Sequence, residues 1–130
     1  MKRISRKVLA VVILVVMLLS TISAYAVTPR WTYLTLIEGS IDISNEVAEI
    51  IVSCDATRDD VTKVKVKCEL QKYDESWETI KTWTETETGT IVNYEKTYAV
   101  TSGYEYRLKV TGYAYSGSTL LESATEYFYE

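Results

Sequence analysis

The stretch Thr62-Lys63-Val64-Lys65-Val66-Lys67-Cys68-Glu69-Leu70-Gln71 decides the fold. In an extended chain, successive side chains point to opposite faces. Val64, Val66, Cys68 and Leu70 therefore share one face, and Lys63, Lys65, Lys67, Glu69 and Gln71 share the other. One apolar row and one charged row is the pattern of a strand in an antiparallel sheet with one buried and one wet side. The same pattern returns at 104–114, where Tyr104, Tyr106, Leu108, Val110 and Gly112 oppose Glu105, Arg107, Lys109, Thr111 and Tyr113.

Working outward, no long stretch carries a helical period. An opening strand is expected over 31–37, then a short one around Ile41 and Ile43. At 47–54, Ala48, Ile50, Val52 and Cys54 form an apolar row. At 77–84, Trp77 and Trp83 share one phase and Ile80 falls in the other, as a bulge or two-sided burial would produce. Val92, Tyr94, Tyr98 and Val100 line one side of 91–100, with Lys96 as the exception. In 119–129, Leu121, Ser123, Thr125 and Tyr127 are expected inward and Glu122 and Glu126 outward. The links Thr57-Arg58-Asp59-Asp60, Asp74-Glu75-Ser76, Thr101-Ser102-Gly103 and Ser116-Gly117-Ser118 are turn chemistry. The expected fold class is all-β: an antiparallel β-sandwich of seven to eight strands.

The first 26 residues read differently. Lys2, Arg3, Arg6 and Lys7 precede an apolar run of 12 residues at 8–19, and Ala24-Tyr25-Ala26 is a small-x-small site. This is the three-part pattern of a cleaved secretory signal peptide. A spanning helix needs about 20 apolar residues, more than the run supplies. The expected organisation is a signal peptide at 1–26 and one β-sandwich domain at 27–130, secreted and extracellular, with no membrane attachment after cleavage.

The chain holds 14 Lys and Arg against 18 Asp and Glu, and no His. Four of the basic residues lie in the first 26, so the remainder carries a formal charge of −8. A surplus of that sign repels nucleic acid, whose phosphates need a basic face. The absence of His removes His-activated nucleophiles and histidine zinc sites. No Gly-rich phosphate loop is present. No cofactor, metal or catalytic residue is expected. Of the carboxylate alternatives, Glu85 and Glu87 would share a face of an extended chain, and Asp55, Asp59 and Asp60 lack the order of an EF-hand loop. A solvated loop and an acidic turn are the plainer readings of both.

Cys54 and Cys68 both fall on apolar rows. In an exported chain they are expected to form a disulfide, with two buried thiols as the rival reading. A loop of about 15 residues would contribute roughly 3 kcal/mol in the chain-entropy model. Eleven Tyr and three Trp stand against one Phe. Tyr and Trp suit half-wet positions, having an apolar body and a polar handle. Trp77 and Trp83 as one platform, with Tyr113 and Tyr115 outward on their strand, are the candidate binding residues; strand propensity alone is the plainer account. The stripe Lys63, Lys65 and Lys67 either pairs with acidic residues on a neighbouring strand or docks an acidic partner.

Val100 followed by Tyr106-Arg107-Leu108-Lys109-Val110 resembles the start of strand F in fibronectin type III and immunoglobulin-like domains. The resemblance implies a tyrosine corner at Tyr106, with Tyr104 as runner-up. Antibody domains bridge strands B and F, whereas Cys54 and Cys68 fall on the second and third long strands. The chain also resembles a group of small exported proteins of unknown function from Gram-positive bacteria. The shared segments are Pro-Arg-Trp-Thr-Tyr at 29–33, Asp-Val-Thr-Lys-Val-Lys-Val at 60–66, Ser76-Trp77, and Lys-Thr-Tyr-Ala-Val at 96–100. That resemblance supplies no activity. The expected function is non-catalytic binding of a protein or glycan partner. A carbohydrate-binding module, a secreted antagonist or inhibitor, and a carboxylate-dependent glycosidase are the alternatives.

Overall fold

A computed structural model describes residues 30–57 and 59–130. The signal segment 1–26, Pro29 and Arg58 lie outside the described residues. Seven strands follow in order: β1 (Leu34–Ser44), β2 (Val47–Ala56), β3 (Lys63–Asp74), β4 (Ser76–Thr88), β5 (Ile91–Ala99), β6 (Glu105–Ser116) and β7 (Thr119–Tyr129). They form a three-stranded sheet, β1-β2-β5, and a four-stranded sheet, β4-β3-β6-β7, with every pairing antiparallel. No helix among the described residues is long and apolar enough to cross a membrane.

The apolar rows meet between the sheets. Ala48, Ile50, Val52 and Cys54 of β2 are buried against one side, and Val64, Val66, Cys68 and Leu70 of β3 against the other. Leu108, Val110 and Ala114 of β6 complete the second row in register with β3. Two glycines allow close approach. A Cβ on Gly112 would lie 2.7 Å from Cys54 Sγ, and one on Gly39 would lie 2.8 Å from the Phe128 ring.

The opening segment differs from expectation. The two expected strands are one strand, β1, with a register shift between Leu34 and Leu36. The extra residue lets Leu34 and Ile37 both turn inward, although they lie three positions apart.

Leu121 packs against the core as expected, but from Glu122 onward the phase of β7 is the reverse of the expected one, across a register shift opposite Ala114 and Tyr115. Ser123, Thr125 and Tyr127 pair with Tyr113, Thr111 and Lys109, outside the sandwich. Glu122, Glu126 and Phe128 fall on the inner side. The carboxylates are tolerated there because each meets a partner at the β1 edge. Glu122 accepts backbone N–H bonds from Thr32, Tyr33 and Leu34 at 2.8–2.9 Å. Glu126 lies 2.6 Å from the Arg30 guanidinium. Burial raises the Glu122 pKa, but the bonds from Leu34, Thr32 and Tyr33 outweigh it and hold the carboxyl below its ordinary value. The opposite edge is closed by Lys96, which faces inward from β5 and meets Glu85 of β4 at 3.0 Å. Inward charges at sheet edges also disfavour edge-to-edge pairing with other chains.

Cys54 and Cys68 are not bonded, which corrects the expected disulfide. Both are fully buried, one in each sheet. Cys54 Sγ is turned onto the β6 backbone in the notch left by Gly112, while Cys68 lies in register with Trp83 and Val110. They act as small core hydrophobes. Burial, with Asp55 beside Cys54 and Glu69 beside Cys68, pushes both thiols up to about 12.

Three outcomes are expected. The oxidised, purified protein should show no thiol reactive to iodoacetamide when native and two when denatured; a denatured protein with none would contradict the free-thiol assignment. A folded-state thiol pKa above the unfolded value of 9.0 means that stability is full below pH 9 and falls as pH rises towards about 12, which urea melts between these limits would measure. Gly112→Ala should cost about 1–3 kcal/mol by overpacking. Cys54→Ala added to it should recover part of that loss, whereas strict additivity would place the thiol elsewhere.

Candidate binding face

The in-register β3–β6 pair decides what the outer face of the four-stranded sheet displays. Lys63 stands opposite Tyr115, Lys65 opposite Tyr113, Lys67 opposite Thr111, Glu69 opposite Lys109 and Gln71 opposite Arg107. The lysine stripe is therefore not neutralised by a neighbouring row of carboxylates. On its other side stand Thr88, Thr86 and Thr84 of β4. The ammonium groups lie on rings instead: Lys63 Nζ is 4.6 Å from the Tyr115 centroid, and Lys65 Nζ is 4.3 Å from that of Tyr113. Such cation–π contacts hold the stems flat while leaving the charge uncompensated. Glu69 is the exception in the row, 3.9 Å from Lys67 and 4.0 Å from Lys109.

The two candidate indoles do not form one platform. The β3–β4 register shifts between Leu70 and Gln71, so Leu70 faces Lys81 and Gln71 faces Thr79, with Ile80 as the extra residue. One inserted residue reverses the phase of a strand. Trp83 falls opposite Cys68 on the inner side, packs against the core and meets Tyr98 edge-on at 6.1 Å and 85°. Trp77 falls opposite Tyr73 on the outer side. The bulge suspected at 77–84 is present, and it places Trp77 and Trp83, which simple alternation would put in one phase, on opposite faces.

What gathers around Trp77 is a cluster that sequence reading missed. The Arg107 guanidinium carbon lies 4.2 Å from the Trp77 ring centroid, 4.5 Å from that of Tyr127 and 5.9 Å from that of Tyr129. Tyr73 tilts against Trp77 at 5.2 Å, and Tyr129 meets it edge-on at 6.1 Å. Arg107 is fixed from below: its Nε donates to Gln71 Oε1 at 2.7 Å and an Nη donates to the Tyr129 hydroxyl at 3.3 Å. Gln71 is buried, and its Nε2 donates to Thr79 Oγ1 at 3.1 Å. One polar row thus crosses the whole sheet, from Thr79 through Gln71 and Arg107 to Tyr129. Tyr127 and Tyr129 escaped notice because β7 was read in the opposite phase. Arg107 was placed outward, but nothing local to it names its ring partners.

A depression of about 440 Å³ adjoins the cluster, lined by Trp77, Tyr104, Glu105, Tyr106, Tyr129 and Glu130. Of these, Tyr106 is held by its hydroxyl, which donates to the Thr101 carbonyl at 2.5 Å and accepts from the Thr101 N–H at 3.1 Å. Tyr104 is exposed and carries Lys72 Nζ 4.4 Å from its centroid. Of the acidic candidates, Glu85 is engaged by Lys96. Among the described residues, no three His, Cys, Asp or Glu side chains gather into a group that could hold a metal ion.

The two indoles should separate in urea melts. Trp83→Ala should cost about 2–4 kcal/mol, as for a large side chain packed on a core, and Trp77→Ala about 1 kcal/mol or less. Equal losses would contradict their placement on opposite faces. No protein-family model matches the chain, and a search of curated proteins finds no match.

Proposed function

We propose that residues 27–130 form an exported, non-catalytic binding module of the immunoglobulin-like or fibronectin type III-like kind. Its working surface is the outer face of the four-stranded sheet, and its partner is a protein surface presenting carboxylates. Export rests on the signal pattern at 1–26. The fold assignment is supported by three strands facing four and by Tyr106, at the start of the sixth strand, bonding back to Thr101. The observation that carries the function is Arg107 held among Trp77, Tyr127 and Tyr129. Trp, Tyr and Arg are the residue types that dominate binding hot spots, and a side chain already held in place loses little freedom on binding. Around it Lys63, Lys65, Lys67 and Lys109 extend the positive field on a chain that is acidic as a whole.

A carbohydrate-binding module is the second reading. The depression beside Trp77 supports it, because aromatic faces with Glu105 and Glu130 at the rim suit a sugar ring and its hydroxyls.

NMR titration of ¹⁵N-labelled 27–130 distinguishes the two. A peptide of alternating Glu and Leu should perturb the backbone amides of Arg107, Lys109 and Tyr113 and the Trp77 indole N–H, and the effect should fade as salt rises. Oligosaccharides that perturb only residues around the depression would favour the second reading. Silence towards both would defeat the binding-module proposal.

A further inference from the structure

The outer face of the three-stranded sheet is the electrostatic opposite of the face just described. Glu38 and Asp42 of β1, Glu49 and Asp55 of β2, and Glu95 of β5 all point outward, as the registers Glu38↔Ser53↔Asn93 and Asp42↔Glu49↔Thr97 require. No Lys or Arg stands on that side of the three strands; Lys96, the one lysine of β5, faces inward to Glu85. Five carboxylates therefore stand without a counter-charge on their own sheet. On the four-stranded sheet, five cations, Lys63, Lys65, Lys67, Arg107 and Lys109, face outward with two carboxylates, Glu69 and, at the end of β6, Glu105. Each face also carries apolar surface. Ile51 and Ile91 are 50% and 54% exposed among the carboxylates, and Tyr127 and Tyr129 are 43% and 63% exposed beside the cations.

We infer that the partner of the cationic face is a second copy of this chain, docked through its acidic face. The inference rests on the binding-module reading and names the partner. The two surfaces are complementary in charge, five carboxylates against a face with an excess of cations, and in form, since both are sheet faces of similar strand length. Ile51 and Ile91 would lie against tyrosines, giving the contact a dry component that ion pairs alone lack. Because the faces are different surfaces of one molecule, the contact is heterologous, and each added copy presents a fresh acidic or cationic face. Such contacts grow into open-ended stacks rather than closed dimers. Three strands about 4.8 Å apart and nine residues long at about 3.4 Å each span roughly 440 Å² in projection. That is below the ~800 Å² per partner of stable complexes, so the association is weak and concentration-dependent. Each copy also carries a net negative charge, which opposes contact at low salt. Close opposite charges survive a Debye length of about 10 Å at 0.1 M salt and weaken at about 3 Å in 1 M salt. Stacking should therefore be strongest near 0.1 M (about one Debye length of contact range) and decline on either side.

Sedimentation of 27–130, which contains all seven strands, tests this. At about 0.1 M salt the weight-average mass should rise steadily with protein concentration past that of a dimer. Lys65→Gln/Lys109→Gln removes charge from one face and Glu49→Gln/Glu95→Gln from the other; circular dichroism and melting confirm that each is folded. Each variant alone should associate at least about tenfold more weakly, a loss of about 1.4 kcal/mol. An equimolar mixture retains one intact face of each kind and should stop at a one-to-one pair. A chain that stays monomeric at every salt, yet binds the Glu-Leu peptide, would overturn the stacking inference and leave the binding module standing. A chain that does neither would remove both. Association that persists unchanged in either variant would also overturn the inference, pointing to contact through Ile51 and Ile91 alone.

Discussion

The in-register pairing of β3 with β6 is the constraint on which the rest of the structure depends. Because the side-chain period of a strand is two, one register choice sets both sides of the sheet at once. Inside, it brings Val64, Val66, Cys68 and Leu70 beside Ala114, Gly112, Val110 and Leu108, and so makes half the core. Gly112 then leaves the notch that Cys54 fills from the other sheet. Outside, the same register lays Lys63 and Lys65 against Tyr115 and Tyr113 and sets Arg107 beside Gln71. A slip by one residue would bury the lysines and expose the valines. The large cost of unpaired buried charge makes that slip improbable in energetic terms.

The outer strands elaborate this pair with local irregularities. The bulge in β4 turns Trp77 outward to Arg107 while leaving Trp83 against the core. The bulge in β1 brings both Leu34 and Ile37 inward. At the two open sides of the sandwich, charge takes over from apolar packing. Glu122 gathers three backbone N–H groups at one side, and Lys96 reaches Glu85 at the other. These polar closures satisfy groups that would otherwise be stranded at the sheet edges. They also leave the two outer faces as the broad surfaces available for recognition.

Much of this was legible in the sequence, and the gaps have physical causes. The strands 62–71 and 104–114 were plain because each alternates without interruption, and their pairing yields the core row. The expectation of a cysteine bridge rested on both residues facing inward, which is true, but inward direction does not say which backbone a thiol meets. Glu122 and Glu126 were read as outward because free carboxylates shun interiors; their inward placement depends on Arg30 and on amides of residues 32–34, about 90 positions away in the chain. The Arg107 cluster joins β3, β4, β6 and β7, and no local pattern reports a contact of that range. The opposed charge of the two faces is likewise a property of pairing: the stripe Lys63, Lys65 and Lys67 was visible in sequence, but that threonines and tyrosines rather than carboxylates flank it on the neighbouring strands was not.

The most direct measurement is the register itself, read from cross-strand nuclear Overhauser effects in isotopically labelled 27–130. The account expects contacts between Lys65 and Tyr113, between Lys63 and Tyr115, and between Arg107 and the Trp77 ring, with Trp83 in contact with Tyr98. Contacts shifted by one residue along β3 and β6, or the two indoles found on one face, would contradict it.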